Sequence, residues 1–211
     1  MLQNRVDPWG NIIATSARGS WMGNRGLLHD EHQQIRRPFR LKAWLICRLE
    51  FKGRKRPVMA PRQYTELFFL DEATAFSAGH RPCFECRRAD ALRFKSFWLK
   101  GNPEHGFNAW TPIQEIDAVL HRERISPDGR KVMYEERFEA LPDGSFVLLD
   151  GEAWLVCGGF VYRWTPEGYE EAMAVGDADG NRLADKVSVL TPRSVVNAFR
   201  AGYVAQMGLG R

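Results

Sequence analysis

The stretch from Phe68 to Arg88 constrains the fold more than any other, because it places several strong local signals side by side. A hydrophobic strand ends just before Asp71, whose side chain can cap the start of a short helix. Gly79 can end that helix in the left-handed conformation that glycine adopts freely. Cys83 and Cys86 then follow a rigid proline turn. The stretch predicts a strand, a capped helix and a two-thiol turn in close succession.

The two thiols of this turn form a Cys-x-x-Cys pair in a chain with few other cysteines. Four cysteines, spread unevenly, are too few for a disulfide framework, and such a pair is then more often metal-binding or redox-active. Three interpretations stay open: a zinc site, a redox pair, and two reduced thiols without a metal. The cysteines are Cys47, Cys83, Cys86 and Cys157.

A zinc site would need more ligands than the pair supplies, because tetrahedral zinc takes four nitrogen or sulfur donors. The chain has no second Cys-x-x-Cys. Cys47, on a neighbouring predicted strand, and one of three histidines (His80, His29 or His32) are the candidates to complete the shell. We therefore predict metal ligation by Cys83, Cys86, Cys47 and His80. The redox interpretation fits less well, since thioredoxin-like motifs follow a parallel strand and these surroundings look antiparallel.

Charge is distributed unevenly between the two halves of the chain. Residues 1–100 contain 19 Lys and Arg against 9 Asp and Glu, a net charge of +10. Residues 101–211 contain 11 against 17, a net charge of −6. A basic half favours an anionic partner, for which nucleic acid is the usual candidate. The alternative is that the two halves simply pack against each other.

Two groups of cations in the basic half are the candidates for contact with phosphates. One group lies at the tip of a predicted hairpin, and the other flanks the two thiols. They are Arg54, Lys55 and Arg56, and Arg81, Arg87 and Arg88.

Periodicity along the chain predicts an α+β fold in two parts. Residues 1–101 would form a basic domain: an N-terminal loop or arm, then a small antiparallel sheet with flanking helices around the Cys-x-x-Cys turn. Residues 102–106 look like a boundary. Residues 102–211 would form an acidic α+β domain with a β-meander of about four strands. Helices are predicted over 89–100, from 112 to about 124, and over 192–201. The helix from 112 to about 124 is predicted to begin with a capping box that includes Thr111.

The motif around the thiols resembles the closing half of the metal-binding domain of the bacterial Ada methylation-repair family. The match covers about 20 residues, roughly a tenth of the chain. The resemblance implies a small sheet with a helix on either side of a zinc knuckle, four cysteine ligands and a bias towards DNA. The residues that carry it are Phe68, Phe69, Asp71, Glu72, Ala73, Ala75, Ala78, Gly79, His80, Arg81, Pro82, Cys83 and Cys86.

The chain departs from that family where the upstream cysteine pair is expected, because residues 52–59 contain no cysteine. In the family one cysteine of that pair accepts a methyl group from a DNA phosphotriester, so this activity is not carried over. The sequence predicts a DNA-binding protein with a zinc-binding knuckle and a link to DNA repair or processing. The alternatives are a metal-assisted hydrolase of nucleic acid, with His80 and Glu85 beside the thiols, and a non-catalytic interaction protein without metal.

Other functional classes lack their sequence signatures. There is no Gly-rich phosphate loop, no Gly-x-Ser-x-Gly and no His-Glu-x-x-His. No apolar run approaches the roughly 18–20 residues that a membrane-spanning helix needs, and the first residues are polar. We expect a cytoplasmic protein that does not bind membranes.

Overall fold

Asp71 begins the first helix as its neighbours in the sequence predict. Its Oδ1 accepts a hydrogen bond from the backbone N–H of Thr74 at 2.8 Å, which satisfies one of the free donors at the helix N-terminus. The helix ends at Ser77, and Gly79 follows with φ +86°. The predicted strand, capped helix and thiol turn are all present in this order.

This computed structural model describes residues 1–53, 57–175 and 186–210. They form four α-helices and two six-stranded, mostly antiparallel sheets, which confirms the α+β fold class. The helices are α1 (Glu72–Ser77), α2 (Arg88–Gly101), α3 (Ile113–Arg124) and α4 (Arg193–Arg200). The strands are β1 (Gln3–Val6), β2 (Ile12–Ala14), β3 (Trp21–Asn24), β4 (Leu45–Cys47), β5 (Leu67–Phe69), β6 (Arg81–Pro82), β7 (Tyr134–Arg137), β8 (Phe146–Leu149), β9 (Glu152–Cys157), β10 (Phe160–Thr165), β11 (Gly168–Ala174) and β12 (Lys186–Val189).

The first sheet has the strand order β2-β1-β5-β3-β4-β6 and contains two parallel pairs, β1 with β5 and β4 with β6. Three strands of this sheet lie within the first 40 residues, and one of them, β3, replaces the ordered loop or arm predicted for residues 18–26. These strands are only three or four residues long, too short to show a period. Their pairing with distant strands, which sequence alone does not reveal, holds them in place.

The second sheet has the order β11-β10-β9-β8-β12-β7. Its strands β8 to β11 are consecutive antiparallel neighbours, which confirms the predicted meander. Strand β11 is not predicted by the sequence, since most of its residues are exposed at the edge of the sheet and show no apolar alternation.

The predicted capping box at the start of α3 is wrong. Pro112 occupies the N-cap position, and no side chain caps the helix. The Thr111 hydroxyl instead accepts a hydrogen bond from the backbone N–H of Asn108, so it stabilises the preceding loop. Helix α3 nevertheless spans the predicted residues.

One hydrophobic cluster extends across the boundary predicted at residues 102–106. It joins Phe76 and Phe94 from the first half to Phe199 and Tyr203 from the second. Asn102 is itself buried, and its Nδ2 donates to the carbonyls of Trp98 and Ser194. The two halves therefore share one hydrophobic core, and the connection between them is buried at its first residue, Asn102. None of the described helices is long and apolar enough to cross a membrane.

Gly101, the last residue of α2, lies directly against the backbone of α4. A Cβ at this position would lie 2.3 Å from the backbone oxygen of Asn197 in α4. We expect Gly101→Ala to lower the free energy of unfolding by about 1–3 kcal/mol, because backbone atoms on both sides would have to separate. Urea denaturation followed by circular dichroism measures this change.

Gly168→Ala is the matched control, because a Cβ there would have no neighbour within 4 Å. It should change stability by less than about 0.5 kcal/mol. Equal effects of the two substitutions would contradict a tight contact between α2 and α4.

Candidate metal centre

Alternation along three neighbouring strands directs one set of side chains to one face of the first sheet. In β3, β4 and β5, successive residues point to opposite faces. The core face carries Ile46, Leu67 and Phe69, all fully buried. The opposite face lines a cavity of about 580 Å³. Its lining includes Met22, Asn24, Leu45, Cys47, Tyr64, Glu66, Phe68, Cys83, Glu85 and Cys86.

The antiparallel surroundings expected for the thiol turn are not found, because β6 ends directly before Cys83 and pairs in parallel with β4. This parallel pairing brings Cys47 next to the thiol turn. Ile46 lies opposite Pro82 in this ladder, and the backbone N–H of Cys83 donates to the Ile46 carbonyl at 3.0 Å. The next residues along each strand are Cys47 and Cys83, which therefore become neighbours. The sequence prediction of Cys47 as a partner of the pair is supported by this placement.

Three sulfur atoms form the only group of described ligand-capable side chains that is compact enough for a metal ion. The Sγ atoms of Cys47, Cys83 and Cys86 lie within 4.8 Å of one another. Tetrahedral zinc with bonds of about 2.3 Å needs sulfurs about 3.8 Å apart. Small adjustments of the side chains are enough to reach that geometry.

The electrostatics of the group favour a thiolate at Cys83. Hydrogen bonds from the thiols of Cys47 and Cys86 lower the pKa of Cys83 well below its usual value, and the backbone N–H groups of Cys86 and Glu85 lower this pKa further. Two of the three side chains are buried and Cys86 is half-buried. Cys86 precedes the start of α2 by two residues, as predicted.

His80 is not a member of this group, which corrects the predicted ligand set. Its Nε2 accepts a hydrogen bond from Arg25 Nε at 2.8 Å, and its ring packs edge-on against Phe69 and Trp44. His29, the other buried candidate, bonds to Thr65 and to the carbonyl of Ala60.

Two of the arginines that flank the thiols are buried in ion pairs, which corrects their prediction as phosphate contacts. Arg81 forms a bidentate pair with Asp117, with both distances 2.7 Å. Arg87 pairs with Glu72 at 2.6 Å. Arg88 alone of the three is exposed. The predicted contacts Arg54, Lys55 and Arg56 lie outside the described residues.

Sequence analysis missed the polar groups that share the cavity with the sulfurs, notably Asn24, Tyr64 and Glu66. Strand alternation could have indicated Glu66. Leu67 and Phe69 face the core, so the residues that alternate with them, Glu66 and Phe68, face the other way. Its Oε2 accepts a hydrogen bond from the backbone N–H of Met59 at 2.8 Å. No comparable local signal exists for Asn24.

No protein-family model, curated protein or solved structure matches this chain. The geometry of the three-cysteine group is therefore the basis for proposing a function.

His80 generates a prediction about acid stability. Burial lowers the pKa of His80 well below 6.5, and the nearby charges of Arg25 and Arg124 lower it further. The folded protein then holds a neutral imidazole, whereas the unfolded chain takes up a proton below about pH 6.5. Stability from this source is present above that pH and is lost as the pH falls.

We expect wild type to lose about 2 kcal/mol more than His80→Gln between pH 6.5 and 5, at about 1.4 kcal/mol per pH unit. The glutamine keeps an acceptor for Arg25. Urea denaturation at each pH measures the difference. His32→Gln, at an exposed histidine, should follow wild type. Parallel pH profiles for wild type and His80→Gln would contradict a buried neutral histidine.

Proposed function

We propose that this chain is a zinc-binding protein whose metal is held by Cys47, Cys83 and Cys86. The observation that carries the proposal is the convergence of three sulfurs within 4.8 Å at the wall of one cavity. Soft thiolate ligands select zinc, copper(I) or iron–sulfur clusters over hard cations. Zinc is the first choice because tetrahedral sites of cysteine ligands are typical of it.

The function that we propose depends on the fourth coordination position of the zinc ion, which the three cysteines leave open. Structural zinc sites are closed by four protein ligands, whereas catalytic and ligand-binding sites keep one position open. Here the three sulfurs line a cavity whose walls also include Asn24 and Tyr64. A zinc ion bound there would act as a Lewis acid towards a water molecule or a donor atom of a ligand. The surrounding residues would exclude bulk solvent and orient that ligand.

The resemblance to the Ada family supports a zinc knuckle in this position but implies four cysteines. We propose a related scaffold with an altered ligand set, in which Cys47 from β4 provides the third sulfur. The self-methylating activity stays excluded from the proposal, because it depends on the upstream cysteine pair that this sequence lacks.

Metal analysis tests the zinc centre directly. Protein purified without chelators should contain one zinc per chain by mass spectrometry, and Cys83→Ser or Cys47→Ser should reduce this to less than about one tenth. Cobalt substitution should give the thiolate charge-transfer band of a tetrahedral sulfur site. Cys157→Ser is the matched control, since Cys157 lies outside the group.

A metal-free wild-type protein, or retention of zinc in Cys83→Ser, would overturn the proposal. Reversible formation of a Cys83–Cys86 disulfide in metal-free protein would instead favour the redox interpretation.

Nucleic-acid binding is the second candidate, and the net charge of +10 on residues 1–100 favours it. Arg88 is exposed at the start of α2, close in sequence to the zinc knuckle. We propose that it contacts a phosphate group, together with the predicted contacts Arg54, Lys55 and Arg56. DNA is the first partner to test, because the resemblance to the Ada family implies it.

Fluorescence anisotropy with labelled duplex DNA should then show affinity that falls steeply with salt. Arg88→Glu should weaken binding at low salt and flatten the salt dependence, since one phosphate contact is lost. Arg122→Glu, which makes the same charge change at an exposed position of α3, is a control for net charge and should leave the affinity nearly unchanged. Affinity that does not change with salt would rule this candidate out.

A further inference from the structure

A second cavity, of about 390 Å³, shares no lining residue with the first. It lies where the β1–β2 hairpin meets the segment around Arg25 and the end of α3. Its lining combines cations with aromatic and aliphatic side chains. Those that matter here are Trp9, Arg25, Arg37, Trp44, Arg124 and Lys131.

Arg25 is a buried cation whose guanidinium is only partly bonded. It is 1% exposed. Its Nε donates to His80 and its Nη1 donates to the Gly10 carbonyl at 2.9 Å. Its Nη2 is buried and has no hydrogen-bond partner among the described residues. Gly10 also lines the cavity and lies beside this nitrogen, since a Cβ there would be 3.7 Å from Nη2.

Arg124 repeats this pattern from the end of α3. It is 2% exposed, and its Nη1 and Nη2 donate to the carbonyls of Gly79 and Lys42. Its Nε is buried without a partner among the described residues. The guanidinium carbons of Arg25 and Arg124 lie 3.7 and 3.8 Å from the Trp44 ring centroid. Two like charges are thus held close together on one aromatic side chain.

Positive charge exceeds negative charge around this cavity. Arg124 is near Arg81 and Arg25, and Lys131 is near both Arg25 and Arg124. The carboxylates that act on these four cations are Asp7 and Asp117, and Asp117 is already in the bidentate pair with Arg81. Arg25 and Arg124 donate hydrogen bonds to backbone carbonyls and to histidine rings. Among the described residues, no carboxylate accepts a hydrogen bond from either guanidinium.

Burying unpaired charge is costly, so this excess of positive charge calls for a compensating anion. Guanidinium groups match oxyanions well, because two parallel N–H groups can donate to two oxygens. The remaining walls suit the uncharged part of a small molecule, with Trp9, Ile12 and Ile35 as its apolar neighbours.

We propose that this cavity is a binding site for a small molecule that carries an oxyanion, either phosphate or carboxylate. Arg25 Nη2, Arg124 Nε and Lys131 Nζ would contact the oxyanion, and the exposed Arg37 would attract it at the cavity mouth. Such a site is independent of the three-cysteine group and requires no metal.

Isothermal titration calorimetry tests the site with inorganic pyrophosphate and, separately, with citrate, at an ionic strength fixed by sodium chloride. We expect saturable binding of at least one probe with a stoichiometry of one per chain, and the preferred probe distinguishes phosphate from carboxylate recognition. Lys131→Met and Arg37→Glu should each weaken binding at least about tenfold, because each removes a charged contact.

Arg62→Glu is the matched control, since it makes the same charge change as Arg37→Glu at an exposed residue that lines neither cavity. It should alter the affinity less than about twofold. Arg37 is exposed, so its variant should keep the melting temperature of wild type and stays informative even if Lys131→Met fails to fold. The absence of saturation by both probes at millimolar concentration would overturn the proposal, as would equal weakening by Arg37→Glu and Arg62→Glu.

Discussion

The buried carboxylate of Glu72 holds the thiol turn and the C-terminal segment together. Its Oε1 lies 2.6 Å from Arg87 Nη2 and accepts a hydrogen bond from the Tyr203 hydroxyl. Its Oε2 accepts from the backbone N–H of Gln206 at 2.9 Å. A buried ion pair is favourable only when further hydrogen bonds satisfy the remaining lone pairs, and here both oxygens are bonded. The turn that carries Cys83 and Cys86 is therefore positioned by residues more than a hundred positions away.

The neighbouring carboxylate, Asp71, ties the start of α1 to the second sheet. Besides capping α1, it accepts hydrogen bonds from the Tyr169 hydroxyl at 2.7 Å and from the backbone N–H of Gly208 at 2.8 Å. Two adjacent acids thus connect the basic half of the chain to the acidic half. Part of the charge asymmetry between the halves is explained by such internal contacts, since Arg81 in the basic half pairs with Asp117 in the acidic half.

Local sequence signals are sufficient to predict the backbone elements around the thiol turn, but not the partners of the polar side chains beside it. The Asp71 cap, the glycine after α1 and the helix after Cys86 depend on short-range rules, and all three were predicted. His80 and Arg81 adjoin the thiol turn in sequence, which suggested a ligand and a phosphate contact. Their side chains instead meet Arg25 and Asp117. Pairing of that kind is set by the packing of distant elements, so no local pattern could have revealed it.

Strand β4 and the residue before it serve both cavities. Trp44 lines the second cavity, which we propose as an oxyanion site, whereas Leu45 and Cys47 line the cavity of the three-cysteine group. Ile46, between them, is fully buried in the core. A shift of β4 by one residue would exchange the two faces of the strand, because side chains alternate with a period of two. The parallel pairing of Ile46 with Pro82 fixes the register, and the same ladder therefore sets the position of the Cys47 sulfur and of the Trp44 ring that the two arginines share.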